Sequence, residues 1–215
     1  MLPLFYLCRM LAENPTPQSL EQVALIQSWQ PIAMGIEVSF ATGPIRLQVL
    51  SEGIIRLRYA SGPAFQRDFS YAISDQHPYK GADFAVQLSA DVLTLTTAKL
   101  VLTLNGDKTV NIKTTDGLTL LEDQLAPTIT EHYENGTTQL LLHRKIQNGE
   151  HFYGLGDKPG HPDLRNHSYT IWGTDQYGFY SHTDPLYKNI PFYIGLHNHQ
   201  SYGLFFDNTF KSHFD

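Results

Sequence analysis

The chain has 215 residues, of which 41% are hydrophobic and 17% are charged. This length and composition predict a folded protein with a sizeable core and exclude an intrinsically disordered chain. The formal net charge is -6, which argues against a surface that follows nucleic-acid phosphates. We therefore expect no nucleic-acid partner.

Cys8 is the only cysteine, so the chain can form neither an intrachain disulfide nor a multi-cysteine metal site. A lone cysteine is typical of a reducing compartment, and we expect a cytoplasmic location. The apolar segment 1–11 is too short to span a bilayer and lacks the flanks of a signal peptide, so we expect no membrane partner. This segment is either a loosely attached N-terminus or an additional strand. Alternatively, the start codon is placed too far upstream and translation begins at Met10.

The first predicted element is a short helix at Leu20–Trp29. Ser19 is a candidate N-cap for it, and Gln22 follows at the spacing of a capping box. We assign residues 1–30 to an N-terminal extension and residues 31–215 to one β-domain, because no linker or repeat divides the rest of the chain.

From Gly35 onward the apolar residues recur at every second position, which is the period of half-buried strands. Turns rich in Gly, Asn and Asp separate these segments. The pattern predicts a hairpin from 92–97 and 100–105, and it indicates an antiparallel sandwich or barrel. The predicted strands are 36–40, 45–49, 55–59, 84–88, 92–97, 100–105, 109–114 and 138–147.

The last third of the chain is rich in Gly, Tyr, Phe, His and Asp, with long irregular segments between short strands. Loops of this kind on a rigid sheet are where binding residues tend to lie. His197 and His199 could begin a zinc site, but such a site needs further ligands that the sequence does not identify. Segment 197–200 instead predicts a hairpin tip with exposed histidines, and we expect no metal and no other cofactor.

Four blocks in this region resemble glycoside hydrolase family 31, which contains enzymes of the α-glucosidase type. They occur in the order and at the separations of that family, with Asp157 where Glu is more usual. Upstream, the match lies in the strand rhythm and in the stretch 54–59. The blocks are FYGLGDK at 152–158, YTIWGTD at 169–175, DPLYKNIPF at 184–192 and YGLFFDNT at 202–209.

This resemblance implies an all-β, galactose-mutarotase-like antiparallel β-sandwich that precedes a (β/α)₈ barrel. It implies a parent enzyme that hydrolyses α-glycosidic bonds with retention, and α-glucosides are the substrates that we expect. In the family both catalytic carboxyl groups belong to the barrel. We therefore assign no catalytic residue to these 215 residues, expect them to be inactive alone, and expect self-association through the face that would dock the barrel.

The resemblance also implies a substrate-binding role for Asp175, in a loop that reaches over the barrel mouth. A carboxylate there can accept two hydrogen bonds from sugar hydroxyls. The alternative is that Asp175 caps a turn after a strand. Trp172 and Tyr177 could stack on a sugar, or they could pack between sheet and loop. We expect Lys188 to form a salt bridge with a neighbouring carboxylate.

Two other classes of function stay open at this point. One is a free-standing carbohydrate-binding domain with a stacking platform of its own. The other is an aldose-epimerase-like enzyme, which needs an acid/base pair such as His and Glu on one concave sheet. Glu150 is the last glutamate of the chain, so it is the only candidate for such a pair in the final third. Fold alone does not decide between these functions.

Overall fold

A computed structural model describes residues 25–74, 78–132 and 137–215, with the backbone alone for residues 131, 132 and 137. In these ranges the regular elements are strands, which confirms the all-β prediction. They are β1 (Ser28–Ile32), β2 (Gly35–Ser39), β3 (Ile45–Ser51), β4 (Ile54–Tyr59), β5 (Ala85–Ser89), β6 (Val92–Thr96), β7 (Leu100–Asn105), β8 (Val110–Thr114), β9 (Thr119–His132), β10 (Thr137–Arg144), β11 (His151–Gly156), β12 (Tyr169–Ile171), β13 (Asn189–His197), β14 (Gln200–Phe205) and β15 (Ser212–Phe214).

The prediction of a helix at Leu20–Trp29 is wrong at its C-terminal end. Ser28 and Trp29 lie in β1, where they pair with Ser39 and Val38 of β2. Pairing with a sheet edge overrides a local helical pattern, which is a weak determinant of structure in a short segment. Residues 20–24 lie outside the described residues. Strand β1 crosses the position at which we divided the extension from the β-domain.

Two antiparallel sheets form the larger part of the fold. One has the strand order β1-β2-β3-β4 and the other has the order β10-β9-β8-β7-β6-β5. The predicted hairpin is confirmed as β6 and β7, with Val92 paired to Asn105 and Thr96 paired to Val101. The Thr97 hydroxyl fixes the turn between them, because it accepts the backbone N–H of Leu100 at 2.9 Å.

The core lies between these two sheets. Alternate residues of β3 point into it, and the inward-facing leucines of β6 and β7 are likewise fully buried. Burial of each such side chain contributes about 1.5–3 kcal/mol. This arrangement is the β-sandwich that the two-residue period predicted. Its buried members are Ile36, Val38, Phe40, Ile45, Leu47, Val49, Leu93, Leu95, Leu102, Leu104 and Val110.

Strand β9 has no counterpart among the strands predicted from the sequence. Its segment lacks clean alternation and contains Pro127, which cannot donate a backbone hydrogen bond. The register between β9 and β10 shifts between Leu141 and His143, opposite the stretch that holds Pro127. Strand β8 pairs with β9 only as far as Glu122. The proline is therefore accommodated where the ladder is already irregular.

The last third forms two smaller sheets, β11-β13-β14 and β12-β15. A second core joins them, in which Leu155, Leu164, Tyr169 and Ile171 are buried. At the end of β11, Gly154, Leu155 and Gly156 all have positive φ (128°, 63° and 86°). A Cβ atom on Gly156 would lie 2.4 Å from the Lys188 carbonyl oxygen. Glycine there allows β11 to approach the start of β13 while Leu155 turns into the core.

No helix in the described ranges is long and apolar enough to cross a membrane.

Candidate functional site

The segment 172–188, which we call the aromatic loop, leaves β12 after Ile171 and returns to β13 at Asn189. Five of its aromatic side chains are substantially exposed. Such rings are normally buried unless a partner or ligand covers them, so the loop is a candidate contact surface. The exposed fractions are 50% for Trp172, 103% for Tyr177, 53% for Phe179, 74% for Tyr180 and 46% for Tyr187.

Asp175 is exposed within this loop. Among the described residues, its carboxylate has no hydrogen-bond or ion-pair partner. A turn-capping aspartate would accept a backbone N–H two or three residues onward. That bond is not formed in the described part of the chain, so the carboxylate oxygens are available to a ligand.

The residues on either side of Asp175 are both held by the returning limb of the loop. The Thr174 amide donates to the Leu186 carbonyl at 3.4 Å, and the Tyr187 hydroxyl donates to the Gln176 carbonyl. The Tyr187 ring also makes an edge contact with Phe179, with 6.4 Å between the ring centroids. Asp175 thus lies on a segment that hydrogen bonds hold on both sides, rather than at the unsupported tip of a loop.

Trp172 and Tyr177 lie at opposite ends of the stretch around Asp175. The packing alternative does not describe Tyr177, because its side chain is fully exposed. Trp172 is half-exposed beside the buried Ile171 of the second core. The sequence analysis named Trp172 and Tyr177 but not the exposed Phe179 and Tyr180. The density of aromatic residues between 177 and 187 could have identified them.

A buried ion pair lies at the base of the aromatic loop. Lys158 Nζ is 2.8 Å from Asp184 Oδ1, and the lysine side chain is only 2% exposed. The same ammonium donates to the Thr170 carbonyl at 2.8 Å and to Asn189 Oδ1 at 3.3 Å. Asp184 Oδ2 accepts the Thr170 amide at 2.5 Å. A buried charge needs such a full set of partners to offset its loss of hydration.

The prediction that Lys188 forms a salt bridge is wrong. The lysine that pairs with a carboxylate in this region is Lys158. Lys188 is exposed and forms no ion pair within the described ranges, and its carbonyl accepts the Asp157 amide at 2.9 Å. The two lysines have no local feature that distinguishes them. Lys158 and Asp184 are 26 residues apart, and only the folding of β11 beside the loop brings them together.

The expectation that both histidines of the 197–200 hairpin are exposed is wrong for His197, which is 3% exposed. The turn itself is confirmed, since Asn198 and His199 both have positive φ as a type I′ turn requires. The His197 ring packs against Tyr202, whose hydroxyl donates to Glu150 Oε1 at 2.8 Å. Glu150 and His197 thus contact the same tyrosine, but both are buried, and this arrangement offers a sugar no access to an epimerase-type pair.

No group of three or more His, Cys, Asp or Glu residues in the described part of the chain is arranged to hold a metal ion. Two other carboxylates of the final third have partners of their own. Asp163 accepts from His151 at 2.6 Å, and Asp207 accepts from the Ser70 hydroxyl at 2.8 Å.

Comparison with known proteins gives a family match over most of the chain. The profile of the glycosyl hydrolase 31 N-terminal galactose mutarotase-like domain matches residues 44–215. A curated relative, "Alpha-glucosidase 2" of Bacillus thermoamyloliquefaciens, is 29% identical over 177 residues. Those residues cover 81% of this chain and 22% of the relative. The "Alpha-glucosidase" of Saccharolobus solfataricus is 29% identical over 77 residues, or 36% of this chain and 11% of its own length.

Solved structures show the same relationship. A GH31 dextranase of Flavobacterium johnsoniae superposes with a TM-score of 0.75 and 26% identity, covering 89% of this chain and 23% of the dextranase. A GH31 alpha-xylosidase of Xanthomonas citri superposes with a TM-score of 0.67 and 21% identity, over 86% of this chain and 19% of the xylosidase. At 21% identity, the likeness to the xylosidase shows the fold alone. The chain thus covers 22% of the first curated relative and 23% and 19% of the two solved structures. It belongs to the family of glycosyl hydrolase 31 N-terminal galactose mutarotase-like domains.

Proposed function

We propose that this domain serves a retaining α-glycosidase, specifically an α-glucosidase, and that it contributes the aromatic loop to the substrate pocket. The observation that carries the proposal is Asp175, an exposed and unpartnered carboxylate on a braced loop among exposed aromatic rings. The family membership and the two curated relatives named as alpha-glucosidases support the reaction class.

The chemistry of this surface suits a sugar. An ionised carboxylate can accept two hydroxyl protons in charge-assisted hydrogen bonds. Aromatic faces beside it offer apolar area to the C–H face of a pyranose ring, as Trp172 and Tyr177 would. The domain would supply binding contacts, and the nucleophile and acid/base would come from the catalytic barrel of the same enzyme.

The remaining exposed rings support a second role, which is to brace that barrel. Phe179 and Tyr187 are in edge contact, and these two rings and Tyr180 are all substantially exposed in the domain. Contiguous exposed apolar area usually marks an interface. Docking the barrel against this surface would bury the rings and fix the loop over the pocket.

The decisive experiment is Asp175→Asn in the full-length enzyme, with kcat/KM measured on an α-glucoside. Loss of charge-assisted bonds of about 1–2 kcal/mol lowers kcat/KM roughly tenfold or more. The unfolding free energy of the 215-residue chain should change by less than about 0.5 kcal/mol, because the side chain is exposed and unpaired. Asp83→Asn is the matched control, since Asp83 is also exposed and its carboxylate has no hydrogen-bond or ion-pair partner in the described ranges.

Two results would contradict the proposal. A lower melting temperature with unchanged kcat/KM would identify Asp175 as a structural residue. Millimolar or tighter binding of free glucosides by the isolated chain, abolished by Trp172→Ala, would favour the free-standing carbohydrate-binding function.

A further inference from the structure

The aromatic loop is fixed at its base by one buried side chain that no feature of the sequence singles out. Lys158 lies at the end of β11, outside the loop, yet its ammonium contacts both ends of it. It bonds the Thr170 carbonyl just before the loop, and it bonds Asp184 and Asn189 near its end. The Lys158 ammonium therefore links its own segment after β11 to β12 and to the returning limb of the loop.

Two of the three acceptors of Lys158, Asp184 and Asn189, pass this restraint on to the backbone. Asp184 uses its second oxygen to accept the Thr170 amide at 2.5 Å. Asn189 uses its amide to donate to the Leu186 carbonyl at 2.7 Å. The returning limb is thus held where it carries Leu186 and Tyr187.

Those same two residues hold the neighbours of Asp175. The Leu186 carbonyl accepts the Thr174 amide at 3.4 Å, and the Tyr187 hydroxyl donates to the Gln176 carbonyl. A continuous set of hydrogen bonds therefore runs from the buried ammonium to both residues that flank the exposed carboxylate. Side chains held in this way keep a binding group in its productive geometry without contacting the ligand.

We propose that Lys158 is a positioning residue for Asp175, acting through Asp184, Asn189 and the limb that carries Leu186 and Tyr187. This inference rests on the proposed function of Asp175 for its effect on catalysis, but not for its effect on the loop. The Lys158 side chain is only 2% exposed, so it would act on a ligand through the loop and not by direct contact. Its removal should loosen the loop and so weaken whatever Asp175 binds.

The first test measures the loop in the 215-residue chain, with amide hydrogen exchange of the segment 172–176 as the readout. Lys158→Met should accelerate exchange of the Thr174 amide at least tenfold, with the amides of β6 and β7 unchanged. Lys99→Met is the matched control, because that side chain is 67% exposed and pairs only at the surface with Glu52. Unchanged Thr174 exchange in a folded Lys158→Met chain would overturn the proposal.

The second test is a double-mutant cycle in the full-length enzyme. If Lys158 acts through Asp175, then Lys158→Met combined with Asp175→Asn should lower kcat/KM no further than Asp175→Asn alone, within about twofold. If the fold-decreases in kcat/KM of Lys158→Met and Asp175→Asn instead multiply in the double variant, the proposal is overturned. A silent Asp175→Asn variant would instead refute the proposed function, and the exchange measurement would still decide the role of Lys158.

A second variant covers the case in which Lys158→Met does not fold. Tyr187→Phe removes only the hydroxyl that holds the Gln176 carbonyl, and this ring is 46% exposed, so the fold should be retained. It should increase exchange in the segment 172–176 and show the same non-additivity with Asp175→Asn. Normal exchange with multiplicative effects on kcat/KM would overturn the proposal.

Discussion

The Tyr202 hydroxyl donates a hydrogen bond to Glu150 Oε1 at 2.8 Å, where the glutamate side chain is shielded from solvent. The other carboxylate oxygen accepts the Gln147 amide at 2.7 Å. Burial raises the pKa of the Tyr202 hydroxyl, so it remains a proton donor at any ordinary pH. This contact ties the connection between β10 and β11 to the hairpin of β13 and β14.

Tyr202→Phe should therefore destabilise the domain. The variant keeps the ring and leaves a buried carboxylate oxygen without its donor, which costs about 1–3 kcal/mol. Urea unfolding followed by far-ultraviolet circular dichroism gives the free energy of unfolding. Tyr177→Phe is the control, since its fully exposed hydroxyl should contribute nothing measurable. Equal stability of the two variants would show that the Glu150 contact is weak.

The second prediction concerns acid stability. Arg56 donates to both oxygens of Asp68, at 2.9 and 2.6 Å, and this hydrogen bonding holds the pKa of the Asp68 carboxyl below its usual range. A carboxyl whose pKa is lowered in the folded state stabilises it above the unfolded pKa, and that stabilisation disappears as pH falls through the folded pKa. The free energy of unfolding should therefore decrease from about pH 5 to about pH 3.

Asp68→Asn should flatten this part of the pH profile, with little change in slope above pH 6. The effect should be modest because the Asp68 side chain is 46% exposed, and salt should weaken it further. A series of chemical denaturation curves at fixed ionic strength measures it. An unchanged slope in the variant would assign the acid sensitivity to other carboxyl groups.

The third prediction is self-association of the isolated chain. Exposed aromatic surface on the loop should drive contact between copies when no barrel covers it. Light scattering after size-exclusion chromatography should show oligomers at high concentration, with binding of a hydrophobic dye. Serine at Tyr177, Phe179 and Tyr180 should reduce both signals, whereas Tyr71→Ser, on another exposed ring, should not. A monomer without dye binding would argue against a docking face.

The fourth prediction is that the 215-residue chain has no glycosidase activity by itself. Retaining hydrolysis needs two carboxyl groups about 5–5.5 Å apart, and the family resemblance places both on the barrel. A chromogenic α-glucoside should release only background colour. Turnover that persists through further purification and is lost in Asp175→Asn would place catalysis within this chain.

The sequence by itself determined the class of fold and its family. The two-residue period of segments such as 45–49 and 100–105 indicates the all-β class, because alternate burial is a local property of a strand against a core. The family resemblance lies in the four sequence blocks between 152 and 209, not in this period. Strand β9 escaped prediction because Pro127 and its neighbours have no clear period, and its pairing with β8 and β10 forms only in the folded sheet.

The tertiary structure alone decided which charged and polar residues are buried. Nothing in the local sequence distinguishes Lys158 from Lys188, or His197 from His199. The environment of Lys158 depends on Asp184, which is 26 residues away. The His197 ring packs against Tyr202, whose hydroxyl donates to Glu150. Burial of a charge is a property of the assembled sheets, because it requires partners that the chain brings together only by folding.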